Sequence, residues 1–184
     1  PASAGDAKLQ RRRYGDGLGA AVVYSNPTPQ TVQSHEKLSN AYFANAPRSV
    51  VLPFLDGDAK LNFTADKTAS TTDFSLQVQS LENRILLLPF ALQLNAPQAL
   101  QGSTRVTRDA HQQTYMAELN VEQPVSGVLH IAPPRDFQLQ SVTLNGKELP
   151  AQNGRLAIAL KSGRNELQVR LASTQFLAPP QQLF

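Results

Sequence analysis

Residues 142–171, VTLNGKELPAQNGRLAIALKSGRNELQVRL, decide the fold class. The runs Phe137–Leu144, Arg155–Leu160 and Asn165–Leu171 alternate apolar and polar residues with a period of two, the spacing at which strand side chains share a face. Asn145-Gly146 and Ser162-Gly163 separate them, residue types that accept the left-handed backbone of tight turns. Within Phe137–Leu144 the apolar positions change from odd (Phe137, Leu139) to even (Val142, Leu144). That change predicts a β-bulge near Gln140 or Ser141.

The same alternation runs upstream. Leu61 and Phe63 face away from Lys60 and Asn62; Phe74, Leu76 and Val78 from Ser75, Gln77 and Gln79; Tyr115, Ala117, Leu119 and Val121 from Met116, Glu118 and Asn120. Thr104–Thr107 is a short polar run, and Gly127–Ile131 stops at Pro133-Pro134. VVLPFL (50–55) and AKLNFT (59–64) flank Asp56-Gly57-Asp58 and read as a hairpin. The most apolar stretch, Ile85–Leu94, reads as a buried strand. It has Pro89 in its middle and is far shorter than the roughly 20 residues of a spanning helix, so no transmembrane segment is expected. About nine or ten strands without a long helical pattern argue for an all-β fold, an antiparallel β-sandwich, with a barrel as the alternative.

The domain is expected at residues 49–173. Residues 1–48 read as a flexible N-terminal arm, with the run Arg11–Arg13, followed by a Pro-bounded loop in which His35–Phe43 holds at most one short helix. Residues 174–184 form a Pro-rich tail with apolar Phe176, Leu177, Leu183 and Phe184.

Charge and composition exclude several classes. A net charge of +3 is too small a cationic excess for a nucleic-acid footprint. With no cysteine there are no disulfides, thiolate nucleophiles or cysteine metal sites. His35, His111 and His130 stand alone, without the close spacing of metal ligands, and no G-x-S-x-G elbow is present. Glu118 and Glu122 share a strand face about 13 Å apart by strand rise, too far for a glycosidase pair, and read as a solvated face. No catalytic residue, metal or cofactor is expected. The candidate ligand residues are Tyr42 and Phe43, loop aromatics able to stack on a sugar ring, and Asp56 and Asp58, a turn whose sharper reading is a calcium loop.

The pattern V-x-L-N-G, a turn, L-x-I-x-L, then G-x-N-x-L-x-V-x-L over residues 142–171 resembles the closing strands of galactose-binding-like β-sandwich modules and implies a jelly-roll-like fold. Such modules accompany glycoside hydrolases and bacterial envelope polysaccharide machinery, where they bind sugars or brace a neighbouring domain. The resemblance implies a non-catalytic, extracytoplasmic module, periplasmic or secreted, whose partner is a polysaccharide or a neighbouring domain or protein of an envelope complex. The alternative is a structural protein that engages other chains through its sandwich edges and apolar tail.

Overall fold

In the computed structural model, which describes residues 9–15, 20–39, 49–65, 71–150 and 154–174, every regular element among the described residues is an antiparallel strand. In chain order these are β1 (Gln10–Gly15), β2 (Ala20–Ser25), β3 (Val32–Ser39), β4 (Val50–Leu55), β5 (Leu61–Ala65), β6 (Thr71–Val78) and β7 (Asn83–Leu94). There follow β8 (Leu100–Arg108), β9 (Gln112–Val121), β10 (Val125–Ile131), β11 (Phe137–Leu144), β12 (Lys147–Leu149), β13 (Arg155–Leu160) and β14 (Gly163–Ser173). One sheet runs β1-β2-β7-β10-β13, with β4 also on β7; the other runs β12-β11-β14-β9-β8-β5-β6-β3. The chain is an antiparallel β-sandwich.

The expected bulge lies in β11, where the register with β14 shifts between Leu139 and Ser141. Asn145 and Gly146 both adopt positive φ, 52° and 78°, and turn β11 into β12. Two local expectations are corrected. Residues 35–39 belong to β3, not to a helix, while 40–43 lie outside the described residues. The apolar alternation of β3 is masked because polar Ser34 and Glu36 take inward positions between Val32 and Leu38. Nor do β4 and β5 form a hairpin. The turn at Asp56-Gly57-Asp58 carries the chain from one sheet to the other, since β4 pairs with β7 and β5 with β6 and β8.

Strands also occur upstream of residue 49. β1 and β2 pair with each other and β2 pairs with β7, so Arg11–Arg13 belong to an edge strand. Residues 1–8 of the expected arm and 175–184 of the tail lie outside the described residues.

β7 organises the six-stranded sheet. Asn83–Leu88 pair with β2 and Phe90–Leu94 with β10, while β4 runs past both halves on the opposite edge. Leu52 pairs with Phe90 and Phe54 with Leu87, so Leu88 and Pro89 together oppose Pro53. Two prolines, neither with an N–H for the ladder, thus meet where it is interrupted.

The extra residue reverses the alternation along β7. Below it an even residue faces the β2 side, with Asn26 N–H donating to Glu82 O at 3.0 Å. Above it an odd residue faces the β10 side, with Ala132 N–H donating to Pro89 O at 2.8 Å. Side-chain direction follows the ladder, so Leu86 and Leu88 occupy one face of the sheet and Phe90 and Leu92 the other.

Both faces around β4 therefore need cover, and every residue from Val50 to Leu55 is buried. The eight-stranded sheet supplies cover on both sides. On one, Tyr115 of β9 packs against Phe54 and Phe90; on the other, Glu36 of β3 meets Arg11 and Tyr24. The free edge of β4 abuts this sheet, and its outward carbonyls are satisfied there: the Thr72 hydroxyl donates to Val51 O at 2.7 Å, and the Thr104 hydroxyl donates to Pro53 O.

The Arg11 cluster closes the second side of this wrap. Its Nη2 lies 2.7 Å from Glu36 Oε1, and the carboxylate also accepts from the Ser34 and Tyr24 hydroxyls at 2.5 and 3.3 Å. Arg11→Ala is expected to cost about 1–2 kcal/mol, between an exposed ion pair and a buried charged hydrogen bond. A denaturation-based double-mutant cycle with Glu36→Gln would show coupling near zero if the pair were merely adjacent.

Candidate functional site

With Leu61, Phe63, Val106, Tyr115, Leu119, Leu167 and Val169 turned into the core, the intervening residues of β5, β8, β9 and β14 form the outer face of the eight-stranded sheet. The register sets them in rows. Asn62, Ser103, Glu118 and Glu166 lie directly across four neighbouring strands, and Arg105, Met116, Gln168 and Thr143 form the next row.

Two carboxylates directly opposite one another repel. Glu118 and Glu166 are held together by Arg164, whose Nε lies 3.1 Å from Glu118 Oε2 and whose Nη2 lies 2.7 Å from Glu166 Oε1. Lys60 Nζ reaches the other oxygen of Glu118 at 3.5 Å. This chain of charges borders a groove of about 550 Å3, which Asp58 and Gly146 also line. A neighbouring recess of about 480 Å3 shares Ser103, Glu118 and Arg164 and adds Asn62, Gln101 and Asn120.

The groove's cations, Lys60, Arg105 and Arg164, are matched by its carboxylates, Asp58, Glu118 and Glu166. Hydroxyls and amides from Ser103, Thr143 and Gln168 fill the intervals, and Met116 supplies a small apolar surface beside Arg105. The site offers hydrogen bonds of both polarities without a net field. Gly102 lets β8 approach β9 here, since a Cβ on it would collide with the Glu118 carbonyl oxygen and the Phe63 ring.

Of the two candidate ligand residues that are described, Asp58 reaches the groove and Asp56 does not. Asp56, two residues away, pairs instead with Arg108 at 3.3 Å, while its N–H donates to Ile85 O. Tyr42 and Phe43 lie outside the described residues. Among the described residues no three His, Asp or Glu side chains converge as metal ligands. Glu118 was legible as an outward residue, but its neighbours were not: Lys60, Ser103 and Arg164 join it only through the strand order.

The histidines lie elsewhere. His35 Nδ1 is 3.1 Å from the Ser75 hydroxyl on the exposed side of β3. His111 sits in the β8–β9 turn, where its N–H and that of Gln112 each donate to Asp109 Oδ1 at 2.7 Å and hold that carboxyl below the usual carboxylate range. His130 lies in β10 with Nε2 3.2 Å from Gln93 Oε1; burial first, then the Arg155 charge, pushes its imidazole below the ordinary histidine value.

The unfolded chain therefore takes up a proton at His130 more readily than the folded one, so stability is complete above about pH 6.5 and declines as pH falls below it. His130→Gln should flatten the melting temperature between pH 7 and 5. An unchanged slope would reject this assignment.

The chain matches no protein-family model and no curated protein.

Proposed function

We propose that this domain is a non-catalytic binding module for a neutral, polyhydroxylated ligand, a polysaccharide, carried in the groove on the outer face of the eight-stranded sheet. The observation that supports this reading is the charge-balanced row of Lys60, Glu118, Arg164 and Glu166 beside the hydroxyl and amide side chains of Ser103, Thr143 and Gln168. A sugar hydroxyl both donates and accepts, and charge-assisted hydrogen bonds are the strong ones. A phosphate or nucleic-acid ligand would call for a cationic excess that the groove lacks. The likeness of residues 142–171 to galactose-binding-like modules points the same way, to the extracytoplasmic polysaccharide machinery of a bacterial envelope.

A glycan-array screen with and without calcium tests the proposal. Binding to one polysaccharide class is expected, with no calcium requirement because Asp56 and Asp58 diverge. Arg164→Ala, which leaves Glu118 and Glu166 facing each other, should weaken binding by tenfold or more, on the order of one strong charged hydrogen bond. A folded protein that binds no glycan, or one whose binding survives Arg164→Ala unchanged, overturns the reading.

A further inference from the structure

The recess beside the groove lies on the same stretch of sheet. Residues 101–103 of β8 and 118–120 of β9 line the recess, and residues 103–105 and 116–118 of the same strands line the groove. The two hollows are displaced by two residues along both strands, about 7 Å at the rise of an extended chain. They are of similar size, about 480 and 550 Å3, and share Ser103, Glu118 and Arg164. Ser103 is the floor between them, a buried residue with exposed Gln101 and Arg105 on either side of it along the same face of β8.

Each hollow has its own chemistry. The side chains found in the groove alone include charged Asp58, Lys60, Arg105 and Glu166, whereas the polar ones found in the recess alone are amides, Asn62, Gln101 and Asn120. Gln101 and Asn120 are direct cross-strand partners, and Asn62 lies opposite Ser103. All three amides are exposed, and among the described residues neither their side chains nor the Ser103 hydroxyl has a hydrogen-bond partner. A carboxamide offers two donors and a carbonyl acceptor, so the recess suits a hydroxylated ring as the groove does while adding no charge. A chain laid across the strands would fill one hollow and leave the other empty; a chain laid along them meets both.

We propose, resting on the reading of the groove as a glycan site, that groove and recess are consecutive subsites for a linear, neutral polysaccharide whose chain runs parallel to β8 and β9. One sugar unit lies in the groove among Arg105, Met116 and Gln168, and the next lies in the recess among Asn62, Gln101 and Asn120. The linkage joining them crosses Ser103 beside the Glu118–Arg164 pair. The site reads two adjoining units, so affinity rises from monosaccharide to disaccharide.

Linear oligomers of glucose, galactose and N-acetylglucosamine, from monomer to hexamer, titrated onto the full chain test this. In the series that binds, the dimer should bind about tenfold tighter than the monomer, the worth of one or two net hydrogen bonds. Met116 is the one methionine of the chain, so its methyl resonance reports the groove, and the side-chain amide resonance of Asn120 reports the recess. The monomer should shift Met116 alone and the dimer both. Asn120→Ala, at an exposed side chain, should remove the gain from the second unit, and Gln168→Ala should weaken the monomer. If no glycan binds in these series or on the array, the glycan reading of the groove falls and the subsites fall with it. If the monomer binds as tightly as the longer oligomers, if Asn120→Ala keeps the full gain, or if the dimer shifts Met116 without Asn120, the consecutive subsites are overturned while the groove reading stands.

Discussion

Replacing Phe90 by alanine is expected to remove about 3–5 kcal/mol from the unfolding free energy, the range for truncating a fully buried phenylalanine. Phe90 is 0% exposed and stands one residue beyond the Pro89 bulge. Its ring meets Phe54 at 5.5 Å and Tyr115 at 4.9 Å, while Phe54 and Tyr115 meet at 5.0 Å, all three contacts edge to face. Each such pair adds about 0.5–1.5 kcal/mol to simple burial. The trio joins β4 and β7 of one sheet to β9 of the other, so the cavity would open where the sheets lock. Tyr115 has little freedom to collapse into it, since its hydroxyl donates to Gln113 Oε1 at 2.6 Å, and burial holds that phenol protonated well above its ordinary range. Phe90→Leu should cost under about 1.5 kcal/mol if volume is the main term. Urea denaturation of both variants checks this, and a loss below about 1 kcal/mol for the alanine variant would mean that the trio does not lock the sheets.

How much of this was legible in the sequence depended on whether the information was local. Ten strands from β4 onward, the bulge at Gln140 and the Asn145-Gly146 turn are written in alternation and turn chemistry. β1 was hidden because three consecutive arginines show no alternation, although in the strand Arg11 points to Glu36 while Arg12 stays exposed. β3 was hidden because Glu36 takes an inward slot, tenable only with Arg11 and two hydroxyls around it. Alternation also names a strand without naming its partner. That is why VVLPFL and AKLNFT read as a hairpin although the turn between them passes from sheet to sheet.

The groove illustrates the same limit. Glu118 and Arg164 are 46 positions apart and touch because β9 lies beside β14, a pairing that no local pattern reports. Asp58 reaches the groove and Asp56 does not because Asp56 closes β4 against Ile85 and Arg108 while Asp58 lies beyond Gly57 in the groove lining. Two equivalent carboxylates in one turn were separated by the backbone between them.

Asn165→Ala is expected to cost about 3 kcal/mol, because three part-buried backbone groups lose their partner together, at about 1 kcal/mol each. Asn165 is 0% exposed at the start of β14. Its Oδ1 accepts from Lys161 N–H at 3.0 Å and from Asn145 Nδ2 at 3.0 Å; its Nδ2 donates to the carbonyls of Lys161 and Gly163 at 2.8 and 3.0 Å. One amide thus fastens the β13–β14 crossing to the β11–β12 turn, while Asn145 Oδ1 accepts from Glu166 N–H at 2.9 Å beside the groove. Asn165→Asp separates this role from packing. It keeps the acceptor but sets a carboxylate oxygen against two carbonyls, which favours its protonated form in the folded chain. Proton uptake by the folded state means that stability rises as pH falls, opposite in sign to the His130 contribution. Unfolding measured at pH 7 and pH 5 should show Asn165→Asp gaining on the parent chain at the lower pH. A variant that loses stability in step with the parent at both values would show that the amide fills space without bonding the turn.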